Sequence, residues 1–241
     1  MAEHSRSNDY LKLRRGYPPE LYEKILSLTG IPVSLLDVAT GPGTVIRDLK
    51  AELSHAIGID PDPERIKVAK FLTTPHIRFE CTSAEKFIPD KEFDLVTVAQ
   101  AFQYLPTSAY RMIHSALKPG GVIAVFWKYP DPYSRTTELV NKVLIHNGLR
   151  EREDMGFRLA QLNPSGILTE WRFSDTDYSV FKSEELFTHE DGVKSILWGL
   201  GTGNGSMTKD LEEKLTRELG EVLPGSITET YECHLWVGKK S

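Results

Sequence analysis

Asp37-Val-Ala-Thr-Gly-Pro-Gly-Thr44 follows the apolar run Ile31 to Leu36, and the next apolar run, Ala56 to Ile59, ends on Asp60. An apolar strand that delivers the chain to a glycine turn, with helical spacing resuming over Val45 to Leu53, is the layout of a loop that cradles a nucleotide cofactor. Gly41 and Gly43 let the backbone approach a ligand. Asp60 lies 17 residues beyond Gly43, where a second parallel strand should end. A carboxylate there accepts hydrogen bonds from both hydroxyls of a ribose.

The loop discriminates between cofactors. Dinucleotide binders use a third glycine to pack helix on strand, whereas the chain reads Gly-Pro-Gly-Thr-Val-Ile from Gly41 and places Ile46 there. The NAD fingerprint therefore fails. Asp37, on the strand just before the loop, suits holding loop amides or a ligand ammonium group. At this point the chain resembles the class I methyltransferases that use S-adenosyl-L-methionine, whose first motif runs acid, apolar, Gly, x, Gly, x, Gly. Only Ala39 departs from it, and its small side chain still permits close approach.

Around this loop the chain alternates strand and helix: Val33 to Val38, Thr44 to Leu53, Ala56 to Ile59, Pro63 to Leu72, His76 to Glu80, Phe93 to Ala99, Ser108 to Leu117 and Val122 to Trp127. Such alternation specifies an α/β fold with a doubly wound, mainly parallel sheet. With the resemblance it implies the seven-stranded Rossmann-like methyltransferase fold. Pro18 and Pro19 open an N-terminal helix whose Leu21, Ile25 and Leu28 share a face, and Gly30 with Pro32 ends it. Lys118-Pro-Gly-Gly121 reads as a turn between helix and strand. Beyond Trp127 helical periodicity returns around Thr137 to His146 and Thr208 to Leu219, in an aromatic-rich region read as an α-helical, aromatic cap. Ile227 to Val237 alternates with period two and makes the final strand. The organisation expected is one domain over 1–241: an N-terminal lid and helix (1–30), a cofactor-binding core (31–128), a cap and substrate region (129–225) and a last strand (226–241).

Other cofactor contacts follow from the resemblance. Pro61, after Asp60, either packs on an adenine face or only leads into the helix that Pro63 begins. Phe79 to Glu85 resembles the segment after the third strand, where Ser83, Ala84 and Glu85 meet the adenine; Ser83 stands where many relatives carry Asp. Gln100 and Phe102, at the carboxyl end of the central strand, belong beside the sulfonium and the methyl acceptor, with Tyr104 as a further positioning candidate. Tyr10, Arg14, Tyr17 and Pro18 form Tyr-x3-Arg-x2-Tyr-Pro, and with Ala99-Gln-Ala-Phe-Gln-Tyr104 and Phe126-Trp127 they resemble the trans-aconitate methyltransferase group of small-molecule enzymes. Tyr10 and Arg14 then join the cofactor site. Arg15 replaces a proline of that group and Gln103-Tyr104 replaces His-Trp, so the acceptor differs from trans-aconitate.

The function expected is methyl transfer from S-adenosyl-L-methionine to a small molecule, at an organic-acid carboxylate or another oxygen nucleophile. The rival is a catalytically silent cofactor-binding subunit that activates a partner methyltransferase. With 29 Lys plus Arg against 34 Asp plus Glu, the net charge of −5 argues against a nucleic-acid partner. Two cysteines without metal-ligand spacing imply no metal and suit a reducing cytosol. No stretch approaches the roughly 20 apolar residues of a membrane span, so the expectation is a cytoplasmic monomer or homodimer. Gly199 to Gly205 reads as a hinge rather than a phosphate loop, His189-Glu-Asp191 as capping near a helix start, and most aromatics between Tyr129 and Trp198 as cap core.

Overall fold

The structure, a computed structural model, describes residues 15–152, 161–200 and 207–241. Seven strands form one sheet in the order β3-β2-β1-β4-β5-β7-β6. They are β1 (Val33–Val38), β2 (Leu53–Asp60), β3 (Ile77–Cys81), β4 (Phe93–Ala99), β5 (Leu117–Pro130), β6 (Phe173–Thr188) and β7 (Ser226–Lys240). β1 pairs parallel with both β2 and β4, β2 with β3, and β4 with β5. The strand order thus reverses between β1 and β4, and the crevice outside their carboxyl ends is where sheets of this kind bind ligands.

Contacts within the chain cluster into two units. The first comprises, among the described residues, 16–128, 161–181 and 233–241. Its helices α1 (Pro19–Thr29), α2 (Thr44–Asp48), α3 (Pro63–Ala69), α4 (Ala109–Ala116) and α6 (Pro164–Glu170) flank the strands. Proline at N1 starts α1, and Gly30 closes it with φ +75°. Leu21 and Ile25 are fully buried in a core shared with Leu35, Leu95, Val122 and Phe126. Each such side chain contributes about 2 kcal/mol of burial, which fixes the helix on the sheet.

The second unit, Arg15 with 129–152, 182–200 and 207–232 of the described residues, has its own core. α5 (Arg135–His146), α7 (His189–Gly199) and α8 (Lys209–Val222) gather Val140, Leu144, Ile196, Leu215 and Leu219 around Ile227. Arg152 and Glu229, both nearly buried, pair at 3.0 Å, and Tyr231 also donates to Glu229. α7 begins at His189, but Thr188 caps it by accepting from the Asp191 amide, while Glu190 and Asp191 complement its dipole. Gly199 ends α7; the rest of the glycine run at 201–205 lies outside the described residues.

Three local expectations are revised. The helix after the loop stops at Asp48, followed by a 3-10 turn at Lys50–Glu52, because β2 begins at Leu53. Lys118 to Gly121 belongs to β5: Phe93 faces Leu117 and Leu95 faces Val122, so these residues bulge out of the ladder with Gly120 at φ +74°. Trp171 and Phe173, read as cap core, pack on the sheet-bearing unit against Tyr110 and His114 respectively. Tyr133 is 86% exposed and contributes to no core.

Candidate cofactor site

The loop between β1 and α2 is held by two buried carboxylates. Asp60, at the end of β2, accepts the Gly41 amide on one oxygen and the Asp62 amide on the other, each at 2.9 Å. The same side chain therefore shapes the loop and the entrance to α3, where Asp62 caps by accepting from Glu64 and Arg65 and Pro63 takes N1. Thr40 ties the loop to β2 by donating its amide to Ile59 O at 2.9 Å, and Gly43 N–H closes the turn on Thr40 O.

Asp37 is 1% exposed and accepts two hydroxyls at 2.6 Å, from Thr40 in the loop and from Thr97, its partner on β4. It thus grips the loop through the Thr40 hydroxyl. Burial pushes its carboxyl up to about 6, against the lowering effect of the two threonines. A folded-state value above the ordinary 3.8 means that Asp37 favours the fold most below that pH, and that this contribution is lost as the pH rises through 6. Asp37→Asn keeps the shape without the buried charge. Its stability relative to the native chain should rise between pH 4 and pH 7.5, by up to about 3 kcal/mol. Parallel melting curves over that range check this, and parallel pH profiles would contradict it.

The glycines divide their labour. A Cβ on Gly41, at φ +55°, would meet nothing within 4 Å, so this residue leaves open space at the loop. A Cβ on Gly43, at φ +82°, would lie 2.9 Å from Leu72 and 3.1 Å from Phe79. Gly43 is thus also a packing glycine. Gly58, opposite Asp37, makes room for Phe79 and the Thr40 hydroxyl. Ala39 adopts φ +57°, so its departure from glycine is not conformationally neutral. Ala39→Gly should raise stability by about 0.5–1 kcal/mol, the left-handed penalty less glycine's unfolded-state entropy, read as a higher urea midpoint. An unchanged or lower midpoint would show that the backbone there is not strained.

The remaining candidates differ in exposure and in what holds them. Pro61 is exposed, one residue before the α3 cap. Ala84 is buried, Ser83 half-buried, and Glu85 exposed. Glu85 is held below the usual carboxylate range, first by its own backbone amide and then by Ser83. Gln100 follows β4 at φ +60°, a conformation uncommon for its residue type. Its amide bonds Phe126 O at 2.8 Å, and its side chain donates to Lys128 O at 2.8 Å. Phe102, expected beside the acceptor, is 4% exposed and packs on Trp127 and Trp171. Tyr104 is 78% exposed. Tyr10 and Arg14 lie outside the described residues. Thr40, Thr97, Lys128 and Gly16 carry the local geometry without having been singled out for it; the one signal for Thr97 was a hydroxyl within the apolar strand Phe93 to Ala99.

Among the described residues no group of three or more His, Cys, Asp or Glu is gathered to hold a metal ion, and no helix is long and apolar enough to cross a membrane.

Residues 36–125 match the methyltransferase domain family. The strand order and the β1 loop are those of the Rossmann-like fold found in methyltransferase structures. More particularly, the chain is 28% identical over 123 residues to an uncharacterized methyltransferase of Mycobacterium tuberculosis, covering 51% of this chain and 50% of that protein. The chain spans about half the length of the curated relatives it matches. Among solved structures it resembles a provisionally named type II methyltransferase from Anaeromyxobacter dehalogenans, with a TM-score of 0.64 and 17% identity over 94% of this chain and 98% of that one. It also resembles the phosphoethanolamine N-methyltransferase 2 of Haemonchus contortus, solved with phosphomonomethylethanolamine and S-adenosylhomocysteine. There the TM-score is 0.54 and the identity 14%, over 97% of this chain and 56% of that one.

Proposed function

We propose that this chain binds S-adenosyl-L-methionine at the β1 loop and transfers its methyl group to a small-molecule acceptor. The observation that carries the reading is the β1 loop at the switch point, with open space at Gly41 and a buried carboxylate, Asp60, behind it. The residues fit the cofactor in charge as well as in shape. Asp37 is a buried acid that accepts from two hydroxyls, and a cationic ligand nearby would ease its burial. Asp60 retains lone pairs beyond those used by Gly41 and Asp62, and these would accept the ribose hydroxyls. Ser83, Ala84 and the half-buried Gln100 would border the adenine and sulfonium ends, with Tyr10 and Arg14 added by the family resemblance.

The cofactor supplies a methyl carbon on a sulfonium, a strong electrophile whose sulfur leaves as a neutral thioether. The chain's task is then mainly in-line positioning. A carboxylate acceptor needs no base, whereas a hydroxyl must lose its proton. Glu85, with a lowered carboxyl, is a poor base, and His189 Nδ1 is engaged with Pro224 O at 2.7 Å. This favours an acceptor that is already anionic, such as an organic acid, in line with the trans-aconitate-like motifs. Arg15 and Lys128 are weaker anion attractors than their charge suggests: Arg15 donates to Leu186 O and stacks on Phe187, and Lys128 donates to Gly16 O. The reading includes a cytoplasmic setting without nucleic-acid partners, and nothing favours the silent-subunit alternative. A screen with methyl-labelled cofactor should find acceptors among small acids and phenols. Label transfer confined to tRNA or a histone would overturn the substrate class.

A further inference from the structure

One residue near the carboxyl end of β5 ties together two segments far apart in sequence. Lys128 Nζ donates to Gly16 O at 2.8 Å, across 112 residues of sequence. Its own carbonyl accepts the Gln100 side chain at 2.8 Å. Gln100 is the left-handed residue that ends β4, and a backbone in that region persists only where its surroundings over-determine it. Those surroundings are the Phe126 carbonyl, the Lys128 carbonyl and Gln103. Gln103 donates to Gln100 O at 3.4 Å and accepts the indole N–H of the fully buried Trp127 at 3.0 Å.

Gly16 is fixed from its other side as well. A Cβ there would lie 1.9 Å from Asp48 Oδ2, so the backbone rests directly against the carboxylate. Asp48 is itself immobilised by the Tyr22 hydroxyl at 3.0 Å and by two Arg47 nitrogens at 2.8 and 2.9 Å. Tyr17, the next residue, packs edge-on against Phe126 with ring centres 4.7 Å apart. The entering chain is therefore clamped between the C-terminal end of α2, just after the cofactor loop, and the end of β5.

We infer that Lys128 is a positioning residue: by holding Gly16 with its ammonium and Gln100 with its carbonyl, it sets the turn that closes β4 at the ligand crevice. The role rests on the cofactor reading proposed above, but the clamp itself does not. The ammonium–carbonyl bond is a charged, half-buried hydrogen bond between segments 112 residues apart in sequence.

The test uses the full chain with Lys128→Met, Lys128→Arg and Gly16→Ala, and two readouts. The first is native-state trypsin cleavage of the Arg15–Gly16 bond, followed as the fragment beginning at Gly16. The second is S-adenosylhomocysteine affinity by calorimetry, with melting curves to confirm the fold. Lys128→Met should speed cleavage and weaken affinity, each by about tenfold, the worth of one charged hydrogen bond. Gly16→Ala should do the same from the Asp48 side, and Lys128→Arg should retain most of both. Unchanged cleavage in a folded Lys128→Met chain overturns the clamp, and faster cleavage with unchanged affinity overturns its positioning role. If Lys128→Met does not fold, Gly16→Ala decides by the same criteria. Should the native chain bind no S-adenosylhomocysteine, the cofactor reading fails, while cleavage still decides whether Lys128 holds Gly16.

Discussion

Asp60→Ala should abolish measurable S-adenosylhomocysteine binding and lower fold stability by about 3 kcal/mol, because each of its two amide bonds is made to a charged acceptor. The larger part of this effect comes from the protein's own backbone. The substitution leaves the Gly41 and Asp62 amides without their acceptor at a 2% exposed position, and it releases the loop from the entrance to α3. A ribose contact alone predicts lost affinity with an unaltered fold. Asp60→Asn, which keeps one acceptor oxygen, should fall between the two. Circular-dichroism melting separates the possibilities: if Asp60→Ala melts with the native chain, the carboxylate does not organise the loop.

The two loop glycines should respond differently to the same added methyl. For Gly43→Ala, a left-handed backbone costs about 1–2 kcal/mol and overpacking against Leu72 and Phe79 about 1–3 more, a melting shift on the order of ten degrees. Leu72 Cδ1 is a side-chain end and yields readily; the Phe79 ring has less freedom. For Gly41→Ala only the backbone term applies, about 1 kcal/mol, since the methyl enters open space. Its affinity for S-adenosylhomocysteine should nonetheless fall at least about tenfold, because that space lies at the loop assigned to the ligand. Equal melting losses in the two variants would refute the division of roles.

What the sequence revealed follows from how strongly each segment was driven. β1 and β4 are mainly apolar and buried along most of their length, and their limits, Val33–Val38 and Phe93–Ala99, coincide with the expected ones. β6 was missed as a strand. Its Ser-Asp-Thr-Asp-Tyr-Ser stretch lies at the sheet edge and is largely exposed, so no apolar alternation marks it. At the site, Asp37, Gly41, Gly43 and Asp60 were legible because residue type and spacing specify them. The threonines that satisfy Asp37 and the clamp at Lys128 depend on cross-strand register and on contacts over 60 and 112 residues, which a local pattern does not encode. Phe102 was marked by its place at a strand end, while its packing on Trp127 and Trp171 was not legible in the local pattern.

The most direct test of the central claim is calorimetry of the full chain titrated with S-adenosylhomocysteine and, separately, with NADH. The loop built on Gly41, Gly43 and Asp60, with Ile46 where a dinucleotide binder places its third glycine, predicts saturable binding of S-adenosylhomocysteine and none of NADH. Tight NADH binding with S-adenosylhomocysteine silent would contradict it.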